Sequence, residues 1–554
     1  MRISRTYALG LLFFTLSWLA SDHYRPWVNF QSELLAFIGL GGLLISVLLH
    51  QSGTVVFPRA IGWIAVVVLV PWAQYAAGIT FFGGDALMSS LYLSGLLAAI
   101  FVGYTLARAN AGYGLTGLMH SLWVAAMVSA AIGWVQWLNL QLPIGMYVVL
   151  PEFGEPAMGN LGQPNQLGTL LLMGMIAYGY IYERRFIGPF GFVLGIFFMT
   201  AALVMTHSRA GMLGVLAVGG FFVAKRSRMS SRLSVVQVLG WVLLFGVANV
   251  VSPYIDQVLM FDAGREPLFT SNGRALIWRQ MLAGISKSPW LGYGWNQTAT
   301  AHMAGTLDFP GWMTVTYAHN ILLDIIAWNG VPLGLGLIGL GGYWFCTRIY
   351  RVSDLKAIYA MACLLPFTIH SLVEYPFAYA YFLIEAGLMI GIVEASVGLA
   401  RGWQIKRLWV GSALLAWSVV GGYIVYEYVL IEEDFRIVRF ENLRIGKTEA
   451  AYQVPKPWML SHMATMLKVS RQPAVPNMTE QQLSELRQVS FRFPYGSINL
   501  RYAIALGLNG DPVGARRMLE VIRATYGPIY YGDAKVGWQE SVEKYPQLKA
   551  IILP

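Results

Sequence analysis

Charged side chains are scarce in this sequence. Only 12% of its 554 residues are Asp, Glu, Lys or Arg, about half of the roughly 25% typical of a soluble domain. Cysteine is scarcer still: Cys346 and Cys363 are the only two, and both lie in apolar stretches. Two cysteines are too few for a disulfide framework or a thiolate metal site, so we interpret them as small buried side chains. This composition indicates a chain surrounded largely by lipid.

Motifs for metals and nucleotides are absent as well. The sequence contains no DxD, no HExxH, no clustered cysteines and no Walker-type phosphate loop. We therefore predict no metal and no cofactor, and we disfavour an ATP-driven pump or a nucleotide-sugar enzyme.

Long hydrophobic runs make up most of what is present. A window of about 19 residues finds thirteen stretches long enough to cross a hydrocarbon core of roughly 30 Å. They lie near residues 7–21, 32–50, 60–77, 88–107, 114–138, 166–182, 186–206, 210–224, 234–252, 320–347, 357–374, 377–397 and 408–430. The first lacks a small-residue cleavage site, which favours a retained helix over a removed signal peptide. The predicted fold class is an all-α polytopic membrane protein with about 13 transmembrane helices.

The net charge of +10 follows the predicted topology. With the N-terminus inside, the cytoplasmic segments hold sixteen Lys and Arg, whereas the opposite loops up to residue 430 hold six. The positive-inside rule therefore predicts a cytoplasmic N-terminus in a bacterial inner membrane. Three long segments, 139–165, 253–319 and 431–554, then lie in the periplasm. Since topology explains the basic residues, membrane lipid is a predicted partner and nucleic acid is not.

The predicted domains follow from this topology. Residues 1–430 form a transmembrane catalytic domain that includes the two long loops, and 431–554 form a small helical periplasmic domain. A helical pattern around Gly510 and Asp511 resembles one tetratricopeptide-like hairpin, although no second copy follows at a fixed period.

Basic residues mark two places on the predicted outer side. Arg209 lies in a short turn between two spans and is suited to binding a phosphate, although an interfacial Arg that reaches for lipid headgroups fits the same position. Arg274 and Arg279 lie in a helical piece of the second long loop. They are about 140° apart around the helix, so we prefer Arg274 as the ligand-binding residue. The alternative is an amphipathic helix lying on anionic lipid.

Two histidines also lie at helix ends on this side. His319 and Asn320 open a predicted span, where a neutral imidazole can accept a proton. Asp324 follows five residues later and could be its partner. His370 and Glu374 have the i, i+4 spacing of a pair on one helical face. A structural role is the alternative for both: a lone histidine such as His319 is more often a hydrogen-bonded structural residue, and His370 with Glu374 could form a buried structural pair.

Polar residues complete the set of candidates. Tyr375 directly follows the second histidine segment, and Gln163 and Asn165 precede a span in the first long loop. Neutral amides at that position can hydrogen-bond sugar hydroxyls or cap the helix.

Five elements in this order resemble the bacterial O-antigen ligase and polymerase superfamily. They are GNLGQPNQLG, THSRAG, the Arg-Trp loop, AHN followed by Gly330, and HSLVEYP. The ligase signature matches from His319 to Gly330 and departs at Leu333. The QPN and HSLVEYP elements, with the sizeable tail, look more like the O-oligosaccharyltransferases that glycosylate pilins and other periplasmic proteins.

The resemblance implies a GT-C-type fold and transfer of a glycan en bloc from undecaprenyl pyrophosphate to a Ser or Thr hydroxyl, with no required metal. It assigns the essential histidine to His319, the pyrophosphate-binding arginines to Arg209 and Arg274, and residues needed for activity to Gln163 and Tyr375.

Other functions remain alternatives from the sequence. An O-antigen ligase would transfer the glycan to lipid A-core, and a polymerase would join glycan to glycan. A transporter or lipid flippase is also built from many helices, but the sequence shows no matching halves of the kind that transporters contain.

Overall fold

The computed structural model of the chain describes residues 4–109, 113–140, 145–152, 154–228, 232–258, 272–397 and 402–554. In chain order the α-helices are α1 (Arg5–Ser17), α2 (Phe30–Leu49), α3 (Trp63–Val67), α4 (Val70–Ala76), α5 (Gly83–Arg108), α6 (Tyr113–Trp137), α7 (Pro164–Glu183), α8 (Pro189–Met205), α9 (Arg209–Lys225), α10 (Val235–Val258), α11 (Asn272–Lys287), α12 (Thr298–Thr306), α13 (Ile321–Arg351), α14 (Leu355–Val373), α15 (Ala380–Val397), α16 (Arg407–Asn442), α17 (Ser461–Arg471), α18 (Glu480–Arg492), α19 (Gly496–Leu508) and α20 (Pro512–Lys544). One antiparallel pair joins β1 (Thr54–Pro58) and β2 (Gly402–Lys406), with Val56 opposite Gln404.

Ten helical segments within these ranges are long and apolar enough to cross a membrane. They are Arg59–Ala76, which contains α3 and α4, the segment Arg209–Arg228, which contains α9, and α2, α5, α6, α10, α13, α14, α15 and α16. The predicted all-α polytopic membrane fold is confirmed. The count of thirteen stays a prediction, because the remaining predicted spans correspond to the 13-residue α1, to α7, and to the 17-residue α8.

The chain divides into two compact units. Unit 1 comprises Met1–Val66, Tyr92–Thr270 and Gly341–Ser418, and unit 2 comprises Val67–Leu91, Ser271–Leu340 and Val419–Pro554. The predicted domain boundary at residue 430 lies inside α16, which continues to Asn442.

The core of unit 1 is built around α7. This helix is buried continuously from Gln166 to Tyr182, as expected of a helix that is apolar on all sides. The neighbouring helices α14 and α15 are also largely buried, and Trp18 contributes edge-on ring contacts to Tyr381 and Phe382. The dense packing fixes the first residues of α7, where polar side chains collect.

Unit 2 contains the C-terminal helices. The predicted hairpin is present as α19 and α20, and the Asp511 carboxylate caps α20 by accepting the Gly514 N–H at 2.8 Å. A buried bidentate ion pair joins α18 to the start of α5: Arg492 donates to the two carboxylate oxygens of Asp85 at 2.8 and 2.9 Å. The tail is thereby tied to residues more than 400 positions earlier.

Helix α13 is interrupted at Gly330, which has φ 76° and ψ 170°. Pro332 has no N–H, so the carbonyl of Trp328 loses its helical donor. The loop before α12 replaces it: Tyr293 and Gly294 donate their N–H groups to the carbonyls of Ala327 and Trp328 at 2.8 and 3.1 Å. In return, the Val331 N–H reaches the Pro289 carbonyl at 2.7 Å. The carbonyls of Ala327 and Trp328 and the N–H of Val331 therefore keep backbone partners at the break.

Replacing Gly330 by Ala should destabilise the protein. Its backbone region is nearly exclusive to glycine, which costs another residue about 1–3 kcal/mol, and an added Cβ would lie 2.3 Å from the Trp290 carbonyl oxygen. The measurement is the thermal unfolding midpoint in detergent. Gly336→Ala on the same helix is the matched control, because its Cβ meets no atom within 4 Å. Equal midpoints for the two variants would contradict this account of the break.

His302 should make unit 2 sensitive to acid. Its side chain is buried on α12, where Nε2 lies 2.8 Å from Gln280 Oε1, and burial lowers its pKa from 6.5 to about 4. The unfolded chain therefore binds the proton first. The resulting stabilisation, about 3 kcal/mol at most, is fully present above pH 6.5 and disappears as the pH falls towards 4. The free energy of unfolding, measured between pH 7 and 4, should decrease more steeply with falling pH for the native chain than for His302→Gln. Parallel pH dependences of the two proteins would refute this.

Candidate functional site

Polar residues meet at the N-terminal end of α7 in unit 1. Pro164 occupies the first helical position, which its fixed φ favours, and Gln163 precedes it. Asn165 connects two other helices: its Oδ1 accepts from Ser208 Oγ at 2.7 Å, and its Nδ2 donates to Glu374 Oε1 at 3.4 Å. Residues far apart in the sequence thus form one polar cluster.

A line of hydrogen bonds orients Tyr375. Tyr381 donates to Gln166 Oε1 at 3.0 Å, Gln166 donates to Gln163 Oε1 at 3.3 Å, and Gln163 donates to the Tyr375 hydroxyl at 3.1 Å. Burial raises the pKa of Tyr375 above its usual value, so the phenol keeps its proton. Gln166 and Tyr381 were not predicted as part of the site. Their polar groups lie within apolar helices, and this feature of the sequence could have identified them.

His370 and Glu374 each have a partner on α7. The i, i+4 spacing predicts one helical face, but α14 ends at Val373, and Glu374 has extended backbone with φ −151°. The Glu374 N–H still makes the helical hydrogen bond to the His370 carbonyl, at 2.8 Å, so Glu374 is the residue that ends the helix. Whether the two side chains pair stays a prediction. The buried His370 ring places Nδ1 2.9 Å from Thr169 Oγ1, whereas Glu374 contacts Asn165.

Arg209 is the first residue of α9. The preceding Ser208 caps this helix by accepting the Gly211 N–H at 3.0 Å. The same Ser208 hydroxyl donates to Asn165. Arg209 is therefore the next residue in the sequence after a member of the polar cluster. Its side chain is half-buried.

In unit 2, His319 lies in a tight turn that leads into α13. Its backbone is left-handed, with φ 52°, a conformation that few residues other than Gly adopt. Three bonds hold the turn on either side. Ala318 donates its N–H to Asp324 and accepts from Trp278 Nε1 at 3.1 Å, and Asn320 Oδ1 accepts the Leu322 N–H at 2.9 Å.

The Asp324 carboxylate is the centre of this arrangement. It is fully buried, and its Oδ1 accepts from Thr298 Oγ1 at 2.6 Å and from the Ala318 N–H at 3.0 Å. Thr298 in turn accepts from Trp328 Nε1 at 2.8 Å. A small apolar core surrounds the turn and consists of Ile277, Met281, Ile285, Ala301, Val315, Ala318 and Ala327. The sequence indicated Asp324 as a possible partner of His319, but not Thr298 or Trp278.

Arg274 and Arg279 both lie on α11. Arg274 is half-buried and Arg279 is exposed; the preference for Arg274 as the ligand-binding residue stays a prediction. Trp278 of the same helix binds the turn of His319, so α11 and that turn are held as one piece. Among the described residues, no group of three or more His, Cys, Asp and Glu could hold a metal ion.

The structure therefore contains two polar groupings. In unit 1 it brings together Gln163, Asn165, Glu374 and Tyr375, with His370 one helical turn away. In unit 2 it brings together His319, Asn320 and Asp324. The grouping in unit 1 offers neutral amides, a carboxyl group and a phenol, and the grouping in unit 2 offers an imidazole, an amide and a buried carboxyl group. Whether Arg209 and Arg274 act on one ligand stays a prediction.

Three protein-family models match successive parts of the chain. The model described as "Protein glycosylation ligase" matches residues 157–181, "O-Antigen ligase" matches 194–338, and "Virulence factor membrane-bound polymerase, C-terminal" matches 358–541. Together these ranges contain every candidate residue proposed above.

Two relatives come from Acinetobacter baylyi. A general O-oligosaccharyltransferase is 29% identical over 461 residues, which cover 80% of this chain and 78% of the relative. A ComP-specific O-oligosaccharyltransferase is 24% identical over 534 residues, covering 93% and 94%. No solved structure matches the chain at a significant level. Together, these family matches and relatives support an O-oligosaccharyltransferase of the O-antigen ligase and polymerase superfamily.

Proposed function

We propose that this protein transfers an oligosaccharide en bloc from undecaprenyl pyrophosphate to Ser or Thr hydroxyls of periplasmic proteins such as pilin. The observation that carries the proposal is the similarity to two O-oligosaccharyltransferases across 80% and 93% of the chain. A lipid-linked glycan donor and a protein acceptor are the substrates that this activity requires.

His319 is proposed as the general base. An alcohol is a poor nucleophile at neutral pH, and an imidazole that removes its proton during attack accelerates the reaction. The hydroxyl oxygen then bonds to the anomeric carbon as the bond to pyrophosphate breaks, and the proton passes to His319. A single displacement inverts the configuration at that carbon. The fixed turn around His319 suits this role, because the backbone that carries the imidazole ring is held in one conformation.

Arg209 and Arg274 are proposed to bind the pyrophosphate. Negative charge grows on this leaving group in the transition state, and guanidinium groups placed beforehand stabilise it. Gln163, Asn165 and Tyr375 supply uncharged hydrogen-bonding groups suited to sugar hydroxyls or to the acceptor. Arg279, Asn320, His370 and Glu374 are supporting residues in this proposal.

The proposed location is the bacterial inner membrane, with the N-terminus in the cytoplasm. The chemistry and the C-terminal helices then face the periplasm, where flipped lipid-linked glycans and secreted acceptors meet. The excess of basic residues in the opposite segments supports this orientation.

An O-antigen ligase is the second candidate, since one matched family model carries that description. Co-expression with a lipid-linked glycan, a pilin and a lipopolysaccharide acceptor separates the two functions. A mass increase of one glycan on pilin supports the proposal; a shifted lipopolysaccharide ladder with unmodified pilin supports the ligase.

His319→Ala should reduce glycan transfer at least about 100-fold, as expected when a general base is lost. The assay combines purified enzyme, an undecaprenyl-pyrophosphate-linked oligosaccharide and pilin, and reads the product by intact mass. His50→Ala is the matched control, because His50 directly follows α2 and its ring Nδ1 lies 2.7 Å from the Ser46 carbonyl oxygen one turn earlier. Near-normal transfer by a folded His319→Ala enzyme would remove the proposed base.

Asp324→Ala should lower kcat by about 10- to 100-fold with little change in KM for the donor. The substitution removes the acceptor of the Ala318 N–H, and a shift of about 1 Å in a catalytic group can cost two orders of magnitude. Asp324→Asn retains an oxygen for the same bonds and should recover most of the rate. If both variants lose activity equally, the negative charge of Asp324, rather than its position, is what the enzyme needs.

A further inference from the structure

The loop that repairs the break in α13 carries two large apolar side chains on its outer surface. Trp290 is 76% exposed and Leu291 is 64% exposed. The stretch from Ser288 to Trp295 contains no charged residue. Exposure of two neighbouring large hydrophobic groups in so short a segment calls for a partner.

This loop is rigidly placed against α13. Backbone hydrogen bonds run in both directions between residues 289–294 and 327–331. Two side contacts fix it further: Ser288 Oγ donates to the Gly292 carbonyl at 2.9 Å, and the Tyr293 hydroxyl donates to the Gly284 carbonyl at 2.7 Å. Gly292 allows the close approach, since a Cβ there would lie 2.5 Å from the Gly330 nitrogen. The depth of α13 in the membrane therefore sets the depth of the loop.

The length of α13 gives that depth. Arg348 and Arg351 mark one end of this candidate span. The regular part of α13 between the break at Gly330 and Arg351 contains about twenty residues, enough to cover a hydrocarbon core of roughly 30 Å. The loop bonded to Trp328 thus lies at the opposite boundary of the hydrocarbon. Just inside that boundary, Leu333 and Leu335 of α13 are also exposed, as expected of a lipid-facing surface.

We propose that Trp290 and Leu291 insert into the lipid at this boundary and anchor the loop to the bilayer. Tryptophan is favoured at membrane interfaces because its ring is apolar and its N–H can remain hydrated. Non-helical backbone is tolerated at such a depth only when its polar groups are bonded within the protein, and the exchange with α13 provides those bonds. The anchor holds α11 and the turn of His319 at a fixed height above the membrane. The proposal concerns lipid contact and does not depend on the transfer chemistry.

Spin-label accessibility tests the anchor in the full-length protein. With Cys346→Ser and Cys363→Ala as background, Leu291→Cys is labelled with a nitroxide in vesicles of phosphatidylethanolamine and phosphatidylglycerol. Leu335→Cys serves as the lipid-facing reference. Val513→Cys serves as the aqueous reference, because Val513 is 78% exposed in the tail and outside every candidate span. The readout is the ratio of collisions with oxygen to collisions with a water-soluble nickel chelate.

The anchor predicts a ratio at residue 291 that is several-fold higher than at 513 and approaches the value at 335. Adding Trp290→Asp should lower the ratio at 291 several-fold, whereas Trp290→Leu should leave it unchanged. A ratio at 291 equal to that at 513 overturns the proposal. The proposal is also overturned if Trp290 binds a sugar or an acceptor protein instead of lipid. In that case the nitroxide at residue 291 would be protected from collisions with the nickel chelate only after donor or acceptor is added.

Discussion

The buried carboxylate of Asp324 is the interaction on which the arrangement of unit 2 depends. It accepts the backbone N–H just before His319 and the hydroxyl of Thr298 on α12, so one carboxyl group fixes both the turn and the neighbouring helix. A buried carboxylate is stable only when its oxygens are hydrogen-bonded. The hydrogen bond from the Ala318 N–H to Asp324 also fixes the backbone next to His319, and this backbone limits the positions that the His319 imidazole can reach.

A second constraint acts on the same helix. α13 begins at the turn of His319 and is broken nine residues later at Gly330, where a loop supplies the missing backbone partners. Unit 1 solves a comparable problem with side chains: Asn165 and Gln163 connect the starts and ends of three helices at one point. In both units polar groups are concentrated at helix ends, where unpaired backbone groups already require partners.

Much of this could be predicted from the sequence, because membrane spans are governed by length and hydrophobicity alone. The same rule explains the weak points: α1 is only 13 residues long, and α16 continues to Asn442 beyond its apolar stretch. Candidate residues at helix ends were identifiable because ionisable and amide groups are rare in such a chain. Their partners were not. Gln163 and Tyr375 are 212 residues apart, and no local pattern encodes a contact across that separation. The pairing predicted for His370 and Glu374 stays a prediction: the Glu374 N–H still bonds to the His370 carbonyl, but the helix ends between the two residues.

The ion pair between Asp85 and Arg492 has a consequence for biosynthesis. The two residues are 407 positions apart, so the ribosome releases the start of α5 long before the partner cation exists. A carboxylate at the mouth of a nascent membrane helix must then remain hydrated until nearly the whole chain has been translated. Final packing of α5 is in this way coupled to completion of α18, because a polypeptide that terminates before Arg492 leaves the Asp85 carboxylate without this ion-pair partner.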